Sequence, residues 1–146
     1  MEGKGGSKAK PESFPVLVID DNEADRKLMA MELGEAWPFA RDMLVEEAGD
    51  GEEALTKLRG RRFALIVLDW KMPGLSGADV LRHMRQIGFR IPVVVVSGME
   101  RADIPDNLES FGAAFLNKGQ LTPENLHGAI ATSLRLLGLT RPAVGS

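Results

Sequence analysis

The chain has 146 residues, 44 % hydrophobic and 27 % charged, with a formal net charge of −3; this suits one domain with one substantial core and excludes nucleic-acid binding driven by overall charge. It contains no cysteine and only two histidines, His83 and His127, which excludes disulfide frameworks, thiolate metal sites and cysteine nucleophiles and leaves little for a histidine-rich metal centre. No apolar run nears the roughly 20 residues that span a bilayer, and the N-terminus lacks a signal-peptide core, so a cytoplasmic location and no membrane contact are expected.

Residues 1–13, MEGKGGSKAKPES, hold three glycines and three lysines with no large apolar side chain beyond Met1. They are expected to form a flexible tail, as are residues 140–146, leaving a folded unit over 14–139. The first apolar run, Val16-Leu17-Val18-Ile19, is short, continuous and β-branched, the pattern of a strand buried on both faces. Asn22 is placed to cap a helix over 23–36, marked by Leu28, Met31 and Leu33, with Trp37 before Pro38 packing at its end. Met43 to Ala48 reads as a second, weaker strand. Asp50 with Glu53 forms a near capping box for a second helix. Leu65-Ile66-Val67-Leu68 is the third strand, and Ser76 caps a third helix over 77–88 with Val80, Leu81, Met84 and Ile87 on one face. His83 in that helix reads as a surface residue. Val93 to Val96 is the fourth strand. Pro105 sets the start of a short fourth helix at 104–105 and Gly112 stops it. Ala114-Phe115-Leu116 is the fifth strand, and Thr122 followed by Pro123 starts a fifth helix over 122–137, with Leu126, Ile130, Leu134 and Leu137 at helical spacing. Five β-α units predict an α/β fold, a flavodoxin-like doubly wound (βα)5 with a five-stranded parallel sheet of order 2-1-3-4-5.

In such sheets ligands sit at the carboxyl ends of the strands. The first run ends in Asp20-Asp21, the third in Asp69, the fourth in Ser97-Gly98 and the fifth in Asn117-Lys118. Strands one and three are neighbours in the expected order, so three carboxylates converge. That crowding is costly unless a cation intervenes, and oxygen-only ligands select a hard divalent ion, Mg²⁺. Lys118 and the Ser97 hydroxyl flank the same spot and suit an anion with several oxygens. Three aspartates, one lysine and one Mg²⁺ sum to zero, and a doubly charged phosphoryl group on one carboxylate leaves a single negative charge.

The segments VLVIDDNEADR, GDGEEAL, LIVLDWKMPGLSGADVL, PVVVVSG and GAAFLNK run in this order over nearly the whole folded unit. In them the chain resembles the receiver domains of two-component response regulators, D-x-K-M-P-G-x-x-G being the most specific match. The resemblance implies that Asp69 is the phosphoacceptor, phosphorylated by a sensor histidine kinase or phosphotransfer protein. It implies that Asp21 and Asp69 bind Mg²⁺ directly, Asp20 through water, and the Lys71 backbone carbonyl as a further ligand. Ser97 then contacts the phosphoryl oxygens, Lys118 pairs with them, and Phe115 stands at the aromatic switch position. The chemistry is self-phosphorylation and self-dephosphorylation, without turnover of another substrate. Output is expected through a surface of helix 4, strand 5 and helix 5 that contacts a downstream protein, by a stand-alone receiver that is a monomer or weak dimer and does not bind DNA.

Three positions depart from the family pattern. Gly119 stands where a proline is usual and predicts a looser loop after Lys118. Phe115 lacks the tyrosine hydroxyl common there. Gly98 replaces a common alanine and leaves the acceptor open to water and small donors. Lys71 is expected at the mouth of the site, where its ammonium pairs with the phosphoryl group. Other readings stay open: a pseudo-receiver interaction module that is never phosphorylated, a receiver fragment of a hybrid histidine kinase, or an aspartyl-phosphate phosphatase. Lys71, where such phosphatases carry an acid, speaks against the last.

Overall fold

In a computed structural model, residues 13–36, 42–104 and 106–138 are described. Residues 1–12 of the expected N-terminal tail, the expected tail 140–146, the Trp37-Pro38 pair and Pro105 lie outside the described residues, while Ser13 already belongs to the first strand. Strands β1 (Ser13–Ile19), β2 (Asp42–Ala48), β3 (Leu65–Leu68), β4 (Val93–Ser97) and β5 (Ala113–Asn117) alternate with helices α1 (Glu23–Ala36), α2 (Gly51–Gly60), α3 (Gly77–Gln86) and α4 (Pro123–Leu136). All strand pairs are parallel, in the order β2-β1-β3-β4-β5. This is the flavodoxin-like arrangement expected from the five apolar runs.

The sheet carries two cores, one on each face. Leu17, Ile19, Ile66, Leu68, Val93 and Val95 point toward α2 and α3, where they meet Leu55, Leu58, Leu81 and Met84. Their neighbours Val16, Val18, Leu65, Val67, Val94 and Val96 point toward α1 and α4 and meet Met29, Leu33, Leu126 and Ile130. The two-residue alternation of a strand therefore serves both cores, and β3 and β4 are buried along their whole length.

The expected caps form. Asp50 accepts from the Glu53 N–H, Thr122 accepts from the Asn125 N–H, and Asn22 accepts from the Asp25 N–H. Ser76 and Asp79 make a full reciprocal capping box at α3.

Two helical expectations are corrected. In α1 the inward face is Met29, Leu33 and Ala36, while Leu28 is 45 % and Met31 69 % exposed. The run Leu28-Met29-Ala30-Met31 puts apolar side chains on several sides of the helix, so spacing alone left the face ambiguous. The fourth connection is not an α-helix. It consists of two 3-10 segments, Arg101–Asp103 and Asp106–Phe111, and Gly112 ends the second at φ +75°. Six residues between Pro105 and Gly112 are too few to repay α-helix nucleation. The segments instead anchor through Ile104 and Leu108, both buried, and through an Arg101–Glu109 ion pair of 3.0 Å. The expected fifth helix is α4.

Candidate functional site

β1 and β3 run side by side with Ile19 opposite Leu68, so the residues that follow, Asp20 and Asp69, emerge together at the carboxyl edge. The ladder continues one residue past the strands: the Asp20 N–H donates to Ala48 O at 3.1 Å and the Asp69 N–H to Ile19 O at 2.9 Å. Both carboxylates are buried, and Asp21 beside them is exposed. One carboxylate oxygen from each of Asp20, Asp21 and Asp69 lies within 4.8 Å of the others.

Lys118 reaches into this cluster from the end of β5. Its ammonium donates to Asp20 Oδ2 and to Asp25 Oδ2, each at 2.9 Å, and stands 3.6 Å from Asp69 Oδ2. Asp25 was not foreseen. It lies in the first turn of α1, four residues after Asp21, and its side chain returns over the strand end; the only trace in the sequence is that spacing. Asp20 is further fixed by the Asn22 N–H on Oδ1 and by Arg26, which donates to the Asp20 carbonyl at 2.7 Å and also pairs with Glu47.

Burial, then the neighbouring charge of Asp20, push the Asp69 carboxyl up to about 6, against the pull of Lys118 and of a hydrogen bond from the Lys71 backbone. For Lys118, burial alone would weaken the charged form, but the hydrogen bonds to Asp25 and Asp20 outweigh it and hold the ammonium above its ordinary value. A trio of carboxylates so close, built only of oxygen donors, fits a hard divalent cation with ligands at about 2.0–2.1 Å, the requirement of Mg²⁺.

The other strand ends converge on the same edge. Ser97 is 1 % exposed, and its hydroxyl accepts from the Met99 N–H at 3.1 Å. Opposite it in register stands Asn117, whose amide donates to Met99 O and whose carbonyl oxygen accepts from the Gly119 N–H at 2.7 Å. Asn117 thus ties the loop after β4 to the loop after β5, a second role unread in the sequence. The loop after β5 starts as a 3-10 turn, Lys118–Gln120, capped by that bond. A methyl group at Gly98 would meet nothing within 4 Å. Phe115 is half-buried, packs against the α2–α3 core, and borders a cavity of about 500 Å³ with Arg101 and Glu109. Lys71 is exposed, as is His83.

The glycines of the D-x-K-M-P-G-x-x-G run have separate causes. Gly74 turns the loop at φ +74°, a backbone state that side chains rarely adopt. Gly77 opens α3 against the end of β3: its N–H donates to Trp70 O at 2.9 Å, and a Cβ there would lie 2.3 Å from Asp69 O. Only glycine lets the helix start sit flush on the backbone that carries Asp69.

This fold and this acidic edge are those of a signalling receiver, and the chain belongs to the response regulator receiver domain family, whose pattern matches residues 16–131. Among curated proteins it is 34 % identical over 121 residues to a gliding motility regulatory protein of Myxococcus xanthus, covering 79 % of this chain and 14 % of that protein. It is 33 % identical over 105 residues to the response regulator GacA of Pseudomonas syringae, covering 71 % of this chain and 48 % of GacA. The chain thus spans less than half the length of these relatives. Among solved structures it resembles the chemotaxis protein CheY4 of Vibrio cholerae, with a TM-score of 0.69, 26 % identity, and 84 % of this chain and 99 % of that one covered. It also resembles the response regulator TrrA of Thermotoga maritima in complex with Mg²⁺ and BeF, with a TM-score of 0.54, 30 % identity, and 62 % and 76 % covered. Among the described residues no helix is long and apolar enough to cross a membrane.

Proposed function

We propose that the chain is a phosphoacceptor receiver in which Asp69 is esterified by a phosphoryl group from a phosphohistidine on a sensor histidine kinase or phosphotransfer protein. The observation that carries this is the approach of Asp20, Asp21 and Asp69 to within 4.8 Å of one another beside Lys118. A carboxylate oxygen of Asp69 attacks phosphorus, the phosphorus–nitrogen bond of the donor breaks, and its electron pair returns to the imidazole. Little covalent machinery is needed, because positioning and charge neutralisation do most of the work.

Each residue has a part that follows from its place. Asp21, Asp69 and the Lys71 carbonyl would hold Mg²⁺ directly and Asp20 through water, and the ion would supply positive charge to the phosphoryl oxygens. Lys118 shifts its third N–H onto the phosphoryl group, and Ser97 turns its hydroxyl toward it. Phe115 then repacks into the space by Ser97. The response is read by a downstream protein on the surface of the Asp106–Phe111 segment, β5 and α4, the same face as the expected helix 4–strand 5–helix 5 surface. The receiver unit spans 14–139 and works in the cytoplasm without binding DNA.

Incubation with Mg²⁺ and acetyl phosphate, followed by mass spectrometry, tests this. The expected result is a gain of about 80 Da, one phosphoryl group, lost in Asp69→Asn. A chain that gains no mass at millimolar Mg²⁺ is a pseudo-receiver, and the proposal fails.

A further inference from the structure

At the opposite end of the sheet, the loop between α2 and β3 and the loop between α3 and β4 enclose a half-open cavity of about 520 Å³. Four arginines line it: Arg59, Arg61, Arg62 and Arg90, with Phe63 and Phe89 as apolar walls and no acidic residue. Arg61 pairs with Glu46 and lies 5.7 Å over the Phe63 ring, which fixes its guanidinium. Arg90 donates to Leu137 O at 2.7 Å, and neither it nor Arg59 nor Arg62 has a carboxylate partner among the described residues.

A fifth guanidinium stands behind the wall. Arg85 is half-buried and donates to Phe111 O and Phe89 O at 2.6 Å and to Ile91 O at 2.9 Å, with no carboxylate partner among the described residues. Its bonds brace residues 89–91 as a fixed side of the cavity. Burial, then the nearby charge of Arg90, disfavour its charged form. Around the cavity, four guanidinium charges are offset by Glu46 and by roughly half a charge from the C-terminus of each of α2 and α3, leaving about two positive charges.

We propose that this cavity is a binding site for a compact anion carrying adjacent phosphoryl groups, of the nucleoside diphosphate class. Guanidinium groups meet phosphate oxygens in pairs, and four of them around one concavity match two neighbouring phosphates. The volume is that of small-ligand sites, and Phe89 offers an apolar wall for a base. A nucleic acid would instead need cations strung along a track, whereas these are gathered in one hollow of a chain with net charge −3.

Calorimetric titration of the full chain with ADP, and separately with pyrophosphate, tests this in EDTA at about 0.15 M salt. Without metal the acidic edge repels both probes, so the result does not depend on phosphorylation of Asp69. Saturable binding to one site is expected, weakened at least about tenfold in Arg59→Ala/Arg62→Ala and unchanged in Asp69→Asn. Both arginines are exposed, and an unchanged melting temperature of the double variant shows that its fold is intact. Equal affinity for the two probes assigns recognition to the phosphates alone, and tighter ADP binding adds the Phe89 wall. No saturable heat up to about 2 mM, or affinity within twofold of wild type in the double variant, overturns the proposal. So does tighter binding of oligothymidylate than of ADP, which would make the patch a nucleic-acid surface.

Discussion

Replacing Asp69 by asparagine should make the metal-free protein more stable at neutral pH, although it removes the group on which the proposed chemistry depends. The buried carboxyl is raised from 3.8 to about 6, by burial first and by Asp20 second. Between those two values the native state binds more protons than the unfolded chain. The neutral form is therefore favoured in the fold, and stability is lost as pH rises through about 6. Two units correspond to about 3 kcal/mol, fully developed above pH 7 and shrinking toward zero near pH 4. Asparagine has the shape of the neutral acid, and Lys118 keeps Asp20 and Asp25 as partners, so no charge is orphaned. Urea unfolding in EDTA at pH 8 should show a midpoint about 1–2 M higher for the variant with an unchanged slope, the gap closing as the pH is lowered to about 4. Added Mg²⁺ should raise the wild-type midpoint far more than that of the variant. Equal midpoints at pH 8, or a less stable variant, would refute the claim that these carboxylates repel one another in the resting site.

Three further outcomes follow from the same geometry. Asp25→Ala leaves Lys118 freer to approach Asp69 and should lower the Asp69 pKa measured by NMR; the half-exposed pair is worth about 1 kcal/mol or less, so the change stays within about one unit. Gly77→Ala forces a Cβ into the Asp69 carbonyl and should cost about 1–3 kcal/mol in thermal unfolding while weakening Mg²⁺ binding, whereas Gly98→Ala, with open space at its Cβ, should leave stability unchanged. Lys71→Ala should speed decay of the phosphorylated form by about fivefold or less, the limit set by an exposed pair; a decay rate equal to wild type removes Lys71 from any shielding role.

Most of the fold was legible because two signals agreed at nearly every element. The continuous β-branched runs at 16–19, 65–68 and 93–96 specify strands buried on both faces, and Asp50, Ser76 and Thr122 specify where helices begin. Where the signals conflicted, the reading failed. Leu28 and Met31 satisfy helical spacing as well as Met29 and Leu33 do, and only the position of the sheet decides which pair is buried. Pro105 and Gly112 mark the ends of a helix, but the length between them does not sustain one, and the burial of Ile104 and Leu108 holds a 3-10 path instead.

The site divides along a similar line. Asp20, Asp21, Asp69, Ser97 and Lys118 were legible because each directly follows or ends a strand, and a parallel sheet brings all such positions to one edge whatever the loops do. The roles of Asp25 and Asn117 were not, although Asn117 also ends a strand, because they depend on where a helix turn and a loop settle in three dimensions. Those two residues set the resting state of the site. Asp25 holds one N–H of Lys118, so the ammonium stands closer to Asp20 than to Asp69, 2.9 against 3.6 Å. Asn117 ties the Ser97 loop to the Lys118 loop through Met99 and Gly119. A phosphoryl group on Asp69 would draw the third N–H of Lys118 toward it and turn the Ser97 hydroxyl away from the Met99 N–H. Because Asn117 spans both loops, either movement strains the other's anchor, which gives the two ends of the site a physical reason to move together.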